Sequence, residues 1–219
     1  MRLLLFLLTN YEVTGQENIP DAGPLLITPN HLSAVDLPAI MAAIPHQAIG
    51  FAASRYRTGF YGLILHRFDV IFVRRGTPDR QALRRALEVL ENGAALGVAP
   101  EGTRSPTKAL IRGKPGVAFL ALRSGATVLP IGVTGTEKVL QEWLRFRRPK
   151  IRVVVGEPYR LEAPEDGRYD LQTLSDQMML RIADLLPEEY RGVYANWNST
   201  VAEDSHAVET DSPRAKRET

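Results

Sequence analysis

One histidine in this sequence is placed to remove a proton. His31 and Asp36 stand five residues apart in Pro29-Asn30-His31-Leu32-Ser33-Ala34-Val35-Asp36, between an apolar run ending at Ile27 and a helix-like stretch. Five residues advance about 500° around a helix, so the two side chains meet only if a turn intervenes. Given that turn, the carboxylate fixes one imidazole nitrogen as a donor and leaves the other to take a proton from a substrate hydroxyl. The competing reading is a loop histidine with its bonds satisfied beside a helix-capping Asp36.

A second constellation, Ala99-Pro100-Glu101-Gly102-Thr103-Arg104-Ser105, follows an apolar strand and precedes Arg112-Gly113-Lys114-Pro115-Gly116, which opens a helix. Gly102 permits a sharp turn. Backbone amides, the hydroxyls of Thr103 and Ser105, and the cations Arg104 and Lys114 would together cradle a phosphate. The alternative is an ordinary β-to-α connection with solvated charges. In Val70-Ile71-Phe72-Val73-Arg74-Arg75-Gly76 a strand delivers two cations at its end, and one of them can reach the same anion. Solvation of both is the alternative there, more so for Arg74 than for Arg75.

These residues need a scaffold, and the apolar pattern supplies one. Strand-like runs occur at 25–27, 49–51, 70–73, 95–98, 128–133 and 151–155, mostly continuous, as in strands buried on both faces. Between them the pattern predicts helices at about 37–43, 78–92, 116–123 and 171–186. The helix over 78–92 places Leu83, Ala86, Leu87 and Leu90 on one stripe, with Thr77 as its cap, Pro78 in its first turn and Gly93 at its end. Alternating strands and helices define an α/β fold, a mixed, largely parallel sheet with helices on both faces.

The chain has 219 residues, 44% hydrophobic and 24% charged, enough to bury a core in one domain. With no cysteine, a disulfide framework, a thiolate metal site and a thiol nucleophile are excluded. The net charge of +2 and a pI near 9.0 favour an acidic partner. Met1 to Leu8 is apolar behind Arg2, too short to span a bilayer and without a signal-peptide cleavage site. We read residues 1–10 as an apolar membrane-docking segment, with a terminal helix packed on the domain as the alternative. The domain itself covers 11–197, and 198–219 is read as a disordered tail.

Taken in order, these blocks resemble the phospholipid and glycerol acyltransferase family, especially its members that acylate 1-acylglycerol-3-phosphate. The family's His-x4-Asp block matches His31 and Asp36, its strand block ending in Arg matches Arg75, and its Pro-Glu-Gly-Thr-Arg-Ser block matches Pro100 to Ser105. Its apolar proline block matches Leu129-Pro130-Ile131, and its Lys-x-Gly matches Lys114 and Gly116. Ala99 stands where an aromatic is usual and Arg74 where an acid is common.

The resemblance implies a glycerol-3-phosphate acyltransferase-like fold and an O-acyltransferase that makes phosphatidic acid from 1-acylglycerol-3-phosphate. In it His31 and Asp36 are catalytic, while Arg75, Glu101, Gly102, Thr103, Arg104 and Lys114 bind substrate, Glu101 and Thr103 by shaping the phosphate loop. It implies no metal and no cofactor. An acyl-CoA or acyl-acyl carrier protein is then the co-substrate, and the partners are a lysophospholipid acceptor, the acyl thioester donor, acyl carrier protein and a membrane surface. The expected location is the cytoplasm, peripheral on the inner face of the cell membrane.

The stretch Trp143 to Lys150 interleaves cations with aromatics as an interfacial surface would, or forms a solvated basic loop. No nucleic-acid motif accompanies it. A hydrolase or phosphatase would need a nucleophile or metal ligands, and His46, His66 and His206 show no ligand spacing. A glycerol-3-phosphate or other lysolipid acceptor, and a non-catalytic lipid-binding module, remain as alternatives.

Overall fold

Continuous Leu, Ile and Val runs cannot leave either face of a strand in water, so they form the middle of a covered sheet. The computed structural model describes residues 7–45, 48–58, 70–73, 79–164 and 168–197. Its strands are β1 (Asn10–Thr14), β2 (Leu25–Pro29), β3 (Ala48–Ala53), β4 (Val70–Val73), β5 (Ala95–Gly97), β6 (Thr127–Thr134), β7 (Lys150–Val155) and β8 (Tyr159–Arg160). Its α-helices are α1 (Asp36–Ala43), α2 (Arg80–Glu91), α3 (Pro115–Ser124), α4 (Val139–Leu144) and α5 (Leu171–Ala183).

The strands form one sheet in the order β1-β7-β6-β2-β5-β3-β4, with β8 beside β6. Strands β6, β2, β5, β3 and β4 run parallel, and β7 pairs antiparallel with β6 while β1 runs parallel to β7. The sheet is therefore mixed and largely parallel, as the sequence pattern predicts.

Successive residues of a strand point to opposite faces, and β2 shows which layer covers which. Leu25 and Ile27 pack with Leu129, Ile131 and Val133 of β6 against Ala39, Ile40, Ala42 and Ala43 of α1. Leu26 and Val128 point the other way, into a cluster built from Ala82, Ala86 and Leu90 of α2, four residues of α3, and Leu174 and Met178 of α5. A third cluster, around Leu32, Leu110, Met179, Ile182 and Tyr194, ties the loops after β2 and β5 to α5.

Helix α2 carries the expected stripe and ends as expected. Gly93 takes a left-handed conformation (φ 76°), its amide donates to the Leu90 carbonyl at 2.9 Å, and the Ala94 amide reaches Val89 at 3.1 Å. Its start differs from expectation. Asp79 is the cap, accepting the Ala82 amide at 3.1 Å, and the helix begins at Arg80. Thr77 and Pro78 lie outside the described residues.

Strand β1 has no counterpart among the predicted strands, and it falls at the boundary drawn between residues 10 and 11. It pairs with β7, 140 residues away, burying Tyr11, whose hydroxyl donates to the Ala39 carbonyl at 2.6 Å. Residues 1–6 and the tail 198–219 lie outside the described residues. Among those described, no helix is long and apolar enough to cross a membrane.

Candidate active site

Parallel strands place their carboxyl ends, and the loops that follow them, on one edge of the sheet. Here the loops after four adjacent strands, β6, β2, β5 and β3, bring together residues far apart in sequence. The loop after β2 carries His31, that after β5 carries Glu101 to Ser105, that after β6 carries Thr136 and Glu137, and that after β3 carries Arg55.

The turn that His31 and Asp36 require is present. Oδ2 of Asp36 accepts from His31 Nδ1 at 2.8 Å and from the amides of Leu32 at 2.7 Å and Ser33 at 2.8 Å. Its carboxylate thus reaches backward from the first residue of α1 and closes the loop on itself. Oδ1 accepts from the hydroxyl of Thr136. Asp36 is 3% exposed and has four donors around it, so it stays an acceptor for the His31 ring. In the neutral ring that bond places the proton on Nδ1 and makes Nε2 the accepting nitrogen. The His31 side chain is 28% exposed and lines a cavity.

The backbone of His31 is clamped as well. Its amide donates to Glu101 Oε1 at 2.7 Å, and its carbonyl accepts from the Ser105 amide at 2.8 Å. Just before it, the side chain of Asn30 bonds both ways with Val133 in β6, Oδ1 accepting the amide at 2.7 Å and Nδ2 donating to the carbonyl at 2.9 Å. The second oxygen of Glu101 accepts the Ile111 amide at 3.2 Å. Glu101 is 1% exposed with both oxygens taken by backbone, so it touches the site through His31. Burial pushes its carboxyl up to about 7, outweighing the two amide bonds that pull it down, and the charge of Asp36 adds to the rise.

One cavity opens at this histidine and a second beside the two residues that follow it. The first, of about 400 Å³, is mostly apolar, lined by Ile40, Met41, Ile44, Phe51 and Leu120, and takes in His31, Asp36, Gly102 and Lys114 at its polar end. Gly102 has φ 65°, and the Lys114 side chain lies over it, so a Cβ there would sit 3.0 Å from Lys114 Cδ. The Lys114 loop is itself held by α5. Ser175 Oγ donates to the Lys114 carbonyl at 3.0 Å, and the Arg112 Nη2 pairs with buried Asp176 at 3.0 Å.

The other, a cleft of about 350 Å³, is polar, lined by Ser33, Arg55, Thr103, Arg104, Ser105 and Lys108 together with Leu32, Pro106 and Glu137. Arg55 and Arg104 both donate to the Tyr56 hydroxyl, at 3.0 and 3.2 Å, which holds the two guanidinium groups near one another.

The structure therefore divides the expected phosphate ligands. Thr103 and Arg104 face the polar cleft, whereas Gly102 and Lys114 line the cavity beside His31. Arg75 lies outside the described residues, as do Arg74, His46, His66 and His206. Sequence reasoning missed Thr136 and Arg55. Each follows the end of a parallel strand, which is the one signal available for them. Among the described residues there is no cluster of three or more metal-ligating acids or histidines.

Fold and site together define an α/β protein that sets a hydrogen-bonded histidine–aspartate pair at the carboxyl ends of parallel strands, on the wall of a mostly apolar cavity and in the same loop as residues lining a basic cleft. The Acyltransferase family model matches residues 10–134, which spans all four of the loop-bearing strands, and the chain belongs to that family. A 1-acyl-sn-glycerol-3-phosphate acyltransferase of Borreliella burgdorferi is 33% identical over 129 residues, 57% of this chain and 51% of the relative. A chloroplastic one of Brassica napus is 27% identical over 157 residues, 67% of this chain and 44% of the relative. The chain spans about half the length of these relatives. The crystal structure of a 1-acyl-sn-glycerophosphate acyltransferase from Thermotoga maritima shares the fold, with a TM-score of 0.64 at 24% identity, over 90% of this chain and 76% of that one.

Proposed function

We infer that the chain transfers a fatty acyl group from an acyl thioester to the free hydroxyl of 1-acylglycerol-3-phosphate, giving phosphatidic acid for phospholipid synthesis. The observation that carries this reading is the position of His31, whose Asp36-bound ring lines a mostly apolar cavity suited to a hydrocarbon chain, while the next two residues of the same loop, Leu32 and Ser33, line a cleft with three cations. A substrate pair that is apolar at one end and anionic at the other matches both.

In this reading Nε2 of His31 takes the hydroxyl proton as the oxygen attacks the thioester carbonyl carbon. The C–O bond forms, the C–S bond breaks, and the departing thiolate takes the proton back from the imidazolium. Asp36 holds the ring and balances its charge during the step. Arg104 and Arg55 take the acceptor phosphate in the cleft, with Arg75 assigned to the same anion by its motif and Lys114 to the charge beside His31. Glu101, Asn30 and Thr136 are positioning residues that act through His31 and Asp36. The donor is an acyl-CoA or an acyl-acyl carrier protein, no cofactor takes part, and the enzyme works in the cytoplasm at the inner face of the cell membrane.

The test is a panel of acceptors offered with one labelled acyl donor: 1-acylglycerol-3-phosphate, glycerol-3-phosphate and 1-acylglycerol-3-phosphocholine. Preference for the first, by kcat/KM, supports the reading. Preference for glycerol-3-phosphate would move the acylation one step earlier, and transfer to none of them would leave a lipid-binding module.

A further inference from the structure

Helix α4 carries its apolar residues on the wrong side for a core helix. Val139 is buried, while Leu140, Trp143 and Leu144, spaced by three and four residues on one outer face, are exposed, Leu144 by 74%. The helix then closes through a complete reversing turn. The Phe146 amide donates to the Trp143 carbonyl at 3.0 Å and the Arg147 amide to the Glu142 carbonyl at 2.9 Å, which puts Phe146 in the left-handed position that glycine ordinarily takes. Its φ is 56°, a conformation strained for any residue with a Cβ, and its ring is fully exposed. Neither helix closure nor packing accounts for a phenylalanine there.

The same face extends to Leu7 and Leu8. The Trp143 indole donates to the Leu8 carbonyl at 3.0 Å, and Arg148 donates to the Thr9 carbonyl at 2.7 Å, which sets exposed Leu7 and Leu8 beside α4. Arg145, Arg147 and Arg148 flank Phe146 in the chain and are exposed, Arg145 pairing with Glu142 at 3.6 Å. An apolar centre with an aromatic at its tip and a rim of arginines suits an anionic bilayer, which offers acyl chains below and phosphates above.

We propose that this face, made by Leu7, Leu8, Leu140, Trp143, Leu144 and Phe146, docks the protein on an anionic lipid surface, with Phe146 seated at the acyl boundary. The proposal rests on the reading of the chain as a lipid acyltransferase and names the surface by which it meets its acceptor. Helix α4 follows directly on Thr136 and Glu137, one of which bonds Asp36 while the other lines the cleft, so the docked face adjoins the site.

The experiment is co-sedimentation of the full chain with phosphatidylcholine vesicles, with and without phosphatidylglycerol. Phe146→Gly is the informative variant because it relieves the strained turn. It should keep or raise the melting temperature while weakening vesicle partition by about tenfold, as expected for losing one inserted aromatic. The double change Arg145→Gln, Arg147→Gln should weaken partition by about tenfold or more on the anionic vesicles alone. Unchanged partition of Phe146→Gly overturns the proposal. So does a result in which these changes weaken saturable binding to an acidic acyl carrier protein but leave vesicle partition intact, since the face would then belong to a protein. Transfer between water-soluble short-chain substrates without vesicles separates this from the enzymatic reading. Phe146→Gly should keep that rate, and a wild type that binds vesicles through Phe146 yet transfers nothing would refute the enzyme and leave the docking face standing.

Discussion

Replacing Glu101 with glutamine should change how the stability of the fold depends on pH. In the wild type the carboxyl lies at about 7 against an ordinary 4.5, because burial disfavours its charged form more than the amides of His31 and Ile111 favour it. Below pH 4.5 the group is protonated whether the chain is folded or not. Between 4.5 and 7 the folded state keeps a proton that the unfolded state has lost, so stability falls as pH rises. Above 7 both states are ionised and the slope vanishes. At about 1.4 kcal/mol per tenfold, the gap corresponds to roughly 3 kcal/mol lost across that window. The amide introduced by Glu101→Gln has no such titration. It can accept the His31 amide but turns an N–H toward Ile111, which should cost about 1–3 kcal/mol at acid pH. Urea unfolding of both proteins at pH steps from about 5 to about 8 should therefore show the stability of the wild type relative to the variant falling by about 2–3 kcal/mol as pH rises, so that its advantage at acid pH vanishes or reverses. An advantage that stays constant, or grows with pH, would refute the account of Glu101.

Thr136→Val removes the hydroxyl donor to Asp36 and leaves the fold's shape; kcat should fall by about tenfold with the donor KM unchanged, read by steady-state kinetics. Arg104→Gln empties one cation from the polar cleft; KM for the phosphate-bearing acceptor should rise by about tenfold or more while KM for the acyl thioester stays put. Gly113→Ala drives a Cβ to 2.6 Å from Met179 Cγ and 2.8 Å from Ser175 Oγ, so thermal unfolding should report a loss of about 1–3 kcal/mol as the Lys114 loop is pushed off α5.

The parts of the fold that the sequence reveals are those whose cause is local. Helix α2 is legible because Leu83, Ala86, Leu87 and Leu90 repeat at the helical period, and β6 because eight residues with no charge must be covered on both faces. Its neighbour in sequence, α4, is hidden for the opposite reason. Its apolar residues face outward, and the run from Trp143 to Lys150 reads as one basic stretch although it holds a helix end, a reversing turn and the start of β7. Strand β1 is short, buries a single residue, and owes its existence to a partner 140 positions away. At the helix start, Thr77 and Asp79 are both good caps, and only the bond to Ala82 separates them.

The site divides along the same line. His31 and Asp36 are readable as a pair because one strand-to-helix loop contains both. The grip of Glu101 on the His31 amide, and of Thr136 on Asp36, joins residues 70 and 100 positions apart through the order of strands in the sheet. No local pattern carries that information. The same holds for Arg55, which reaches the cleft because β3 lies beside β5.

The most direct test of the whole account is acyl transfer from a labelled acyl thioester to 1-acylglycerol-3-phosphate on vesicles, comparing wild type with His31→Ala at matched folded concentration. The wild type should transfer measurably and the variant should lose about 10²-fold or more. Transfer that survives removal of the imidazole would contradict the account.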